Sequence, residues 1–255
     1  MVVFLADENL GVWHPEPLAQ GPFTGLQGGA VAGLLVGEIE ALAAESGWGD
    51  AQSATAWFLR PTPLVKLRTE VRVLQKGRRL SVVDNTLWAE GFNAPCATVR
   101  VTLGQANPVD IPGLVEPQDP PTDPESYPRI HRPAAHGGPW FMDAMEARQG
   151  DGVWWFKLLV EVIEGARPLA RVLGPADWAH GLTRPVSQGF ADPNPNLTVQ
   201  LIRPPKGEWI GVQSQTWWRP EQGSGVGGGL LRDLGGVIGT VSMSVALTSM
   251  QNGKS

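Results

Sequence analysis

Apolar and polar residues alternate along most of this chain, and two stretches of helical spacing interrupt the alternation. The clearest strand pattern is Val65-Lys-Leu67-Arg-Thr-Glu-Val71-Arg-Val73, with its period of two. It belongs to a group of four predicted strands: Ser53–Arg60, Val65–Gln75, Arg79–Ala89 and Ala94–Leu103. Lys76-Gly77 and Glu90-Gly91 supply the hairpin turns. Ahead of this meander, residues 1–14 predict a short strand, and the Gly-rich loop Gly21–Gly29 leads into a helix over Gly29–Glu45. Val31, Leu34, Leu35, Ile39 and Leu42 form its apolar stripe, with Glu38 and Glu45 outside it. Gly33 and Gly37 each cost a helix about 1 kcal/mol relative to Ala. Glycines four apart predict a closely packed neighbour, such as a sheet wrapped around the helix.

The pattern stops at Gln105–Gly137, which holds eight prolines and five carboxylates without periodicity. This reads as an extended linker. It separates residues 1–104 from residues 138–255. Beyond it, Trp140–Arg148 and Val153–Glu164 predict strands. Leu169–His180 predicts a helix, interrupted by Gly174-Pro175, because an internal proline breaks or kinks a helix. Strands follow at Leu197–Arg203, Trp209–Trp218 and Gly236–Thr248, with a short strand between the last two and a frayed tail from Ser249.

The two parts share an order. Phe58-Leu-Arg60-Pro61 ends the first strand after the first helix, and Leu201-Ile-Arg203-Pro204 ends the first strand after the second. From Arg60 to Leu103 is 43 residues, and from Arg203 to Leu247 is 44. The expected fold is α+β: two tandem repeats, each an antiparallel sheet wrapped around a central helix, which is a double hotdog.

Composition narrows the function classes. A net charge of −5 gives no electrostatic reason for nucleic-acid binding. Most of the eleven tryptophans read as strand and core residues, with a minority lining a pocket. Cys96 is the single cysteine, so disulfides and thiolate metal clusters are excluded, and its strand-like surroundings suggest an inert buried thiol. His14, His131, His136 and His180 lack ligand spacing, so no metal is expected. No apolar run approaches the ~18 residues of a membrane span. The N-terminus has no basic region, so a cytoplasmic, soluble protein is the expectation. Gly223-Ser-Gly225-Val-Gly-Gly228 matches G-x-G-x-x-G formally, but no convincing helix follows it and no acid lies at the required distance. No G-x-S-x-G elbow is present.

The residues most suggestive of chemistry lie between Gly174 and Pro205. Asp177 stands within Ala-Asp-Trp-Ala-His-Gly. The run Pro193-Asn-Pro-Asn-Leu-Thr-Val-Gln-Leu-Ile-Arg-Pro-Pro205 follows, with Gly207-Glu-Trp209 and Asp233-Leu-Gly-Gly after it. Together with Gly28-Gly29 and Phe58-Leu-Arg-Pro-Thr-Pro63, these resemble the double-hotdog acyl-CoA thioesterases, the thioesterase II (TesB-like) family, over nearly the whole chain. The resemblance implies thioester hydrolysis without an acyl-enzyme. An Asp on the second helix, a hydroxyl at the start of the next strand and a Gln on the last strand bind and activate water. Backbone N–H groups at a helix N-terminus polarise the carbonyl.

Asp177 takes the Asp position. Asn194 stands at the hydroxyl position and Met243 at the Gln position, so both depart from the pattern; a one-residue shift places Ser244 there instead. Gly28, Gly29, Trp178, Asn196 and Ser244 are the expected substrate-binding residues. The expected partner is an acyl-CoA, its chain in an apolar tunnel between helices and sheets. No cofactor is implied, and the chain is expected to be a monomer or a homo-oligomer.

Plainer roles stand beside these. Asp177 can cap a helix restarting after Pro175 or pair with His180, and Asn194 and Asn196 suit a turn around Pro195. Arg60 and Arg203 read first as strand-end structural residues and second as phosphate contacts for the carrier. Two other functions remain open: a non-catalytic acyl-CoA or fatty-acid binding protein, and a hotdog dehydratase with Asp177 and His180 as its pair.

Overall fold

A computed structural model describes residues 1–249 except 24, 114–121, 133, 135, 166 and 185–188. The expected tail beyond Ser249 and the middle of the linker lie outside the described residues. The N-terminal hairpin pairs β1 (Phe4–Ala6) with β2 (Val12–Pro15), two short strands where one was expected. Helix α1 (Gly28–Ser46) follows, then β3 (Asp50–Phe58), β4 (Leu67–Lys76), β5 (Leu80–Ala89) and β6 (Ala97–Gly104). The linker was expected to have no regular structure. It carries a 3-10 turn at Pro124–Ser126 and β7 (Arg129–Ile130), which pairs at the sheet edge with β8 (Met145–Gly150).

The expected strand Trp140–Arg148 is in part a 3-10 turn, Phe141–Ala144, before β8; Trp140 caps this turn and Phe141, Met142 and Ala144 are buried. The expected strand Val153–Glu164 stops early as β9 (Val153–Leu158). Helix α2 (Pro168–Asp177) runs almost directly into α3 (Ala179–Leu182). The remaining strands are β10 (Phe190–Ala191), β11 (Asn196–Leu201), β12 (Trp209–Arg219), β13 (Ser224–Asp233), β14 (Gly236–Ala246) and β15 (Thr248–Ser249). The glycine-rich run at 223–229 belongs to a full ten-residue strand, β13, rather than a short one. Its glycines admit close neighbours: a Cβ at Gly229 would overlap the Gln213 carbonyl, and one at Gly227 would overlap His180.

Thirteen strands form one antiparallel sheet, in the order β1-β2-β4-β5-β6-β3-β11-β14-β13-β12-β9-β8-β7. Its centre is the pair β3–β11, in register from Asn196↔Trp57 to Gln200↔Ser53. Reading outward from that pair, the order β3-β6-β5-β4-β2 on one side matches β11-β14-β13-β12-β9 on the other. A hairpin therefore precedes each long helix, and a four-stranded unit of the same order follows it.

Both helices lie against the inner face of the sheet. α1 is buried on every side, from Gly29 to Gly37 without a break, rather than along one stripe. A helix with apolar residues all round is one with partners all round. Gly29, Gly33 and Gly37 face α2 and the segment leading into it, not the sheet. A Cβ at Gly29 would lie 2.6 Å from the Leu173 carbonyl oxygen, and one at Gly37 would lie 2.6 Å from Ile163 Cδ1. α1 ends where Gly47 takes a left-handed φ of 65° and returns its N–H to the Ala43 carbonyl. Pro175 does not break α2, which continues to Asp177.

Candidate active site

Asp177 is the last residue of α2 and is 5% exposed. It points at the start of α1, where the first N–H groups of a helix have no partner within it. Oδ2 accepts a hydrogen bond from the Gly29 N–H at 2.9 Å and another from Gln27 Nε2 at 2.6 Å. Oδ1 accepts from Asn194 Nδ2 at 2.7 Å. Burial pushes the carboxyl above its ordinary range; the charge of His180 and the hydrogen bonds from Asn194 and Gly29 pull the other way.

The glycines permit this approach. A Cβ on Gly29 would stand 2.8 Å from Asp177 Cβ, and one on Gly28 would stand 2.9 Å from the Phe58 ring and 3.1 Å from Asp177 Oδ2. Gly28 is only half-buried, so the site opens there, beside Phe58.

Asn194 precedes β11 and is half-buried. Its Nδ2 also reaches the Asn196 carbonyl at 3.2 Å, and Asn196 Oδ1 accepts the Ser244 N–H at 2.8 Å. The two asparagines thus tie the entry of β11 to β14 and place one amide on Asp177. On β14 the alternation puts Met243 inside, at 2% exposure, and Ser244 on the exposed outer face. The shifted register, with the Ser244 hydroxyl in the site, is not adopted. Ser244 takes part only through its backbone. Met243 Sδ lies 3.1 Å from His180 Nδ1. Trp178 turns into the core and packs edge-on against Trp140, with ring centroids 5.3 Å apart.

Gln27 was missed in the sequence. It is 4% exposed, accepts the Ala30 N–H on Oε1 at 2.7 Å and donates to Asp177 with its other end. A faint signal exists: a glutamine stands at the cap position before Gly-Gly, where Ser, Thr, Asp or Asn is usual. Arg203 is fully occupied, gripping Asp233 through Nη1 at 2.5 Å and Nη2 at 2.8 Å. That is the structural reading of its strand end.

No group of metal-ligating side chains occurs among the described residues, and none of their helices is long and apolar enough to cross a membrane. Two cavities, of about 470 and 560 Å³, lie on the outer face of the sheet. The first is walled by Lys66, Arg68, Trp88 and Phe92, the second by Thr55, Trp57, Asp84 and Arg100. Neither is the expected tunnel between helices and sheet.

Known proteins resemble the fold that carries this carboxylate. The family model of the acyl-CoA thioesterase N-terminal domain matches residues 15–104. That match spans about a third of the chain. The matched residues include α1 and its cap Gln27, Gly28, Gly29 and Phe58.

Solved structures are similar over almost the full length. A protein from Novosphingobium aromaticivorans provisionally named a thioesterase is 20% identical, covering 97% of this chain and 99% of its own, with a TM-score of 0.74. A hot dog fold protein of unknown function from Alicyclobacillus acidocaldarius is 17% identical, with coverages of 97% and 96% and a TM-score of 0.68. Acyl-CoA thioesterase II TesB2 from Mycobacterium marinum is 11% identical, with coverages of 99% and 98% and a TM-score of 0.68. At these identities the likeness shows the hotdog fold. No curated protein sequence matches.

Proposed function

We propose that this chain is an acyl-CoA thioesterase that cleaves its substrate by direct attack of water. The observation that carries the reading is the placement of Asp177: a buried carboxylate, fixed by three donors, at the N-terminal end of a helix within a thioesterase fold. In the proposed step Asp177 takes a proton from water as the oxygen bonds to the thioester carbon. The C–S bond then breaks, the thiolate leaves, and the proton on Asp177 passes to its sulfur. Asn194 orients the water. The Gly29 N–H is committed to Asp177, so polarisation of the carbonyl falls to the half-buried start of α1 at Gly28. Because burial raises the carboxyl, activity should climb with pH through a midpoint above the usual aspartate range.

The same reading takes residues 1–104 and 138–255 as two tandem hotdog repeats joined by the linker 105–137. The matching strand order on the two sides of β3–β11 supports it.

One observation favours a second reading, an acyl-thioester binding protein without turnover: Met243, buried at the position where the family has Gln, brings no amide to the water. Thiol release from short, medium and long acyl-CoAs, for wild type beside Asp177→Ala, separates the two. Release by wild type alone supports the thioesterase. Tight binding without release supports the binding protein.

A further inference from the structure

Arg60 and Arg203 end matching strands, and the structure treats them differently. Thr55 of β3 and Thr198 of β11 face each other across the central pair, and five residues after them come Arg60 and Arg203. The neighbouring strands keep this correspondence. Thr55 pairs with Arg100 on β6, which pairs with Asp84 on β5. Thr198 pairs with Ser242 on β14, which pairs with Gly228 on β13. Five residues after Gly228 is Asp233, the buried carboxylate that grips Arg203. Five residues after Asp84, at the matching place, is Ala89. The fully buried Leu231 and Leu87 stand two residues before Asp233 and Ala89 and support the alignment.

Arg60 therefore lacks the counterpart of Asp233. Among the described residues no hydrogen bond, ion pair or ring contact holds its guanidinium, and the residue is exposed. Its backbone is fixed all the same. The Leu59 and Arg60 N–H groups both go to the Cys96 carbonyl, at 2.9 and 3.3 Å. On one side of Arg60, Phe58 reaches Gly28, where a Cβ would meet its ring. On the other side the Thr62 carbonyl accepts the Leu26 N–H at 2.7 Å. Residues 58–62 thus run beside residues 26–28, the approach to the start of α1. Arg60 follows Phe58 by two residues, at most about 7 Å of chain. Its long side chain stands unspent at the rim of the opening to Asp177.

A planar guanidinium carries a fork of donors that suits phosphate oxygens. Coenzyme A has its phosphates at the far end of the pantetheine arm, so a cation that meets them belongs outside the opening, not within it. We propose that Arg60 binds a phosphate of coenzyme A while the thioester end enters beside Phe58. Loss of the carboxylate at Ala89 is what separates the two arginines: Arg203 ties a strand end together, and Arg60 holds the carrier. The identity of the carrier rests on the thioesterase reading, but its binding is measurable without turnover.

The experiment is calorimetric titration of coenzyme A, and of pantetheine, which lacks the phosphates, into wild type, Arg60→Gln and Ala89→Asp. Arg60→Gln should weaken coenzyme A about fivefold and leave pantetheine as in wild type, since only the phosphate contact is gone. Ala89→Asp gives Arg60 the partner that Arg203 has, and should weaken coenzyme A by a similar factor with the arginine still in place. An unchanged affinity for coenzyme A in Arg60→Gln, or equal losses for both ligands, overturns the proposal. Unchanged affinity in a folded Ala89→Asp overturns the role given to the missing carboxylate. Arg60→Gln decides alone if Ala89→Asp, at a buried position, does not fold.

Thiol release is read on the same samples. Arg60→Gln should raise KM for an acyl-CoA about fivefold at unchanged kcat, with the matching acyl-pantetheine turned over as by wild type. A fall in kcat at unchanged KM overturns the binding role. Absence of release from wild type sinks the thioesterase reading, while the calorimetry still decides whether Arg60 meets the phosphate.

Discussion

Each of the two packed helices begins against a carboxylate of the other, yet the two junctions are built differently. At the start of α2, Glu40 of α1 accepts the Leu169 N–H on one oxygen and the Ala170 N–H on the other, both at 2.9 Å. At the start of α1, Asp177 of α2 accepts the Gly29 N–H, but the next N–H, that of Ala30, goes to the side chain of Gln27. The second oxygen of Asp177 is left for Asn194. The first residue of α2 is the exposed Pro168; the first residue of α1 is Gly28, half-buried against Phe58 and Asp177. A carboxylate with both oxygens on backbone is a helix cap. Where a side chain takes over part of the capping, as Gln27 does, the carboxylate meets side-chain amides as well as backbone.

Substitutions at five positions sharpen that comparison, and the largest effect belongs to the Asp177 junction. Asp177→Ala should lower kcat/KM for acyl-CoA about 10³-fold, the range of a lost general base, while circular dichroism shows a folded protein. A variant as active as wild type would make the two carboxylates equivalent caps.

Next comes Glu40→Ala. It leaves two buried N–H groups unpaired and should cost about 3 kcal/mol in urea unfolding, with turnover per folded molecule unchanged. Glu40 also predicts a pH dependence. Burial pushes its carboxyl up to about 7, against the hydrogen bonds of Leu169 and Ala170. The native state therefore holds this proton over a range where the unfolded chain has released it. Its contribution is complete below the ordinary glutamate range and is lost as pH rises through about 7, by up to ~3 kcal/mol. In Glu40→Gln that slope should vanish.

Gly29→Ala pushes a methyl group into the Leu173 carbonyl and Asp177 together. It should cost about 2 kcal/mol and lower activity by moving the carboxylate. Gly33→Ala, where the nearest atoms stand at 3.1 to 3.3 Å, is the milder control, read by the same thermal melt. The smallest effect is that of Asn194→Ala, about a tenfold loss of kcat for a removed hydrogen bond to a charged group. A stability loss without a kinetic one would reduce Asn194 to a tie between Asp177 and β11.

Much of this architecture was legible because it is periodic. The alternation in β14 survives in the fold, that in β4 fades toward the exposed Val73, and α1 keeps its place in the chain but is buried on every side. What was illegible depends on neighbours distant in sequence. Glu38 falls outside the helical stripe, yet it accepts Trp13 Nε1 at 3.0 Å, Thr69 Oγ1 at 2.8 Å and Asn85 Nδ2 at 2.8 Å, from three different strands. Glu40 gives no hint of its burial, since its partners lie 129 and 130 residues away. Gln27 looked like loop. Trp178, next to Asp177, looked like part of the site and belongs to the core, because successive helical residues point about 100° apart.

The sequence by itself determined the order of the long helices and strands and their two-fold recurrence, and it singled out Asp177 as a candidate. These follow from local spacing, and each segment carries its own period whatever surrounds it. Only the tertiary structure decided which carboxylate meets backbone N–H groups with both oxygens and which meets side-chain amides as well, that Met243 faces inward against His180, and that glycines four apart bring two helices together. Those outcomes depend on which atoms meet across the helix pair and the β3–β11 seam, and no single segment holds both sides of such a contact.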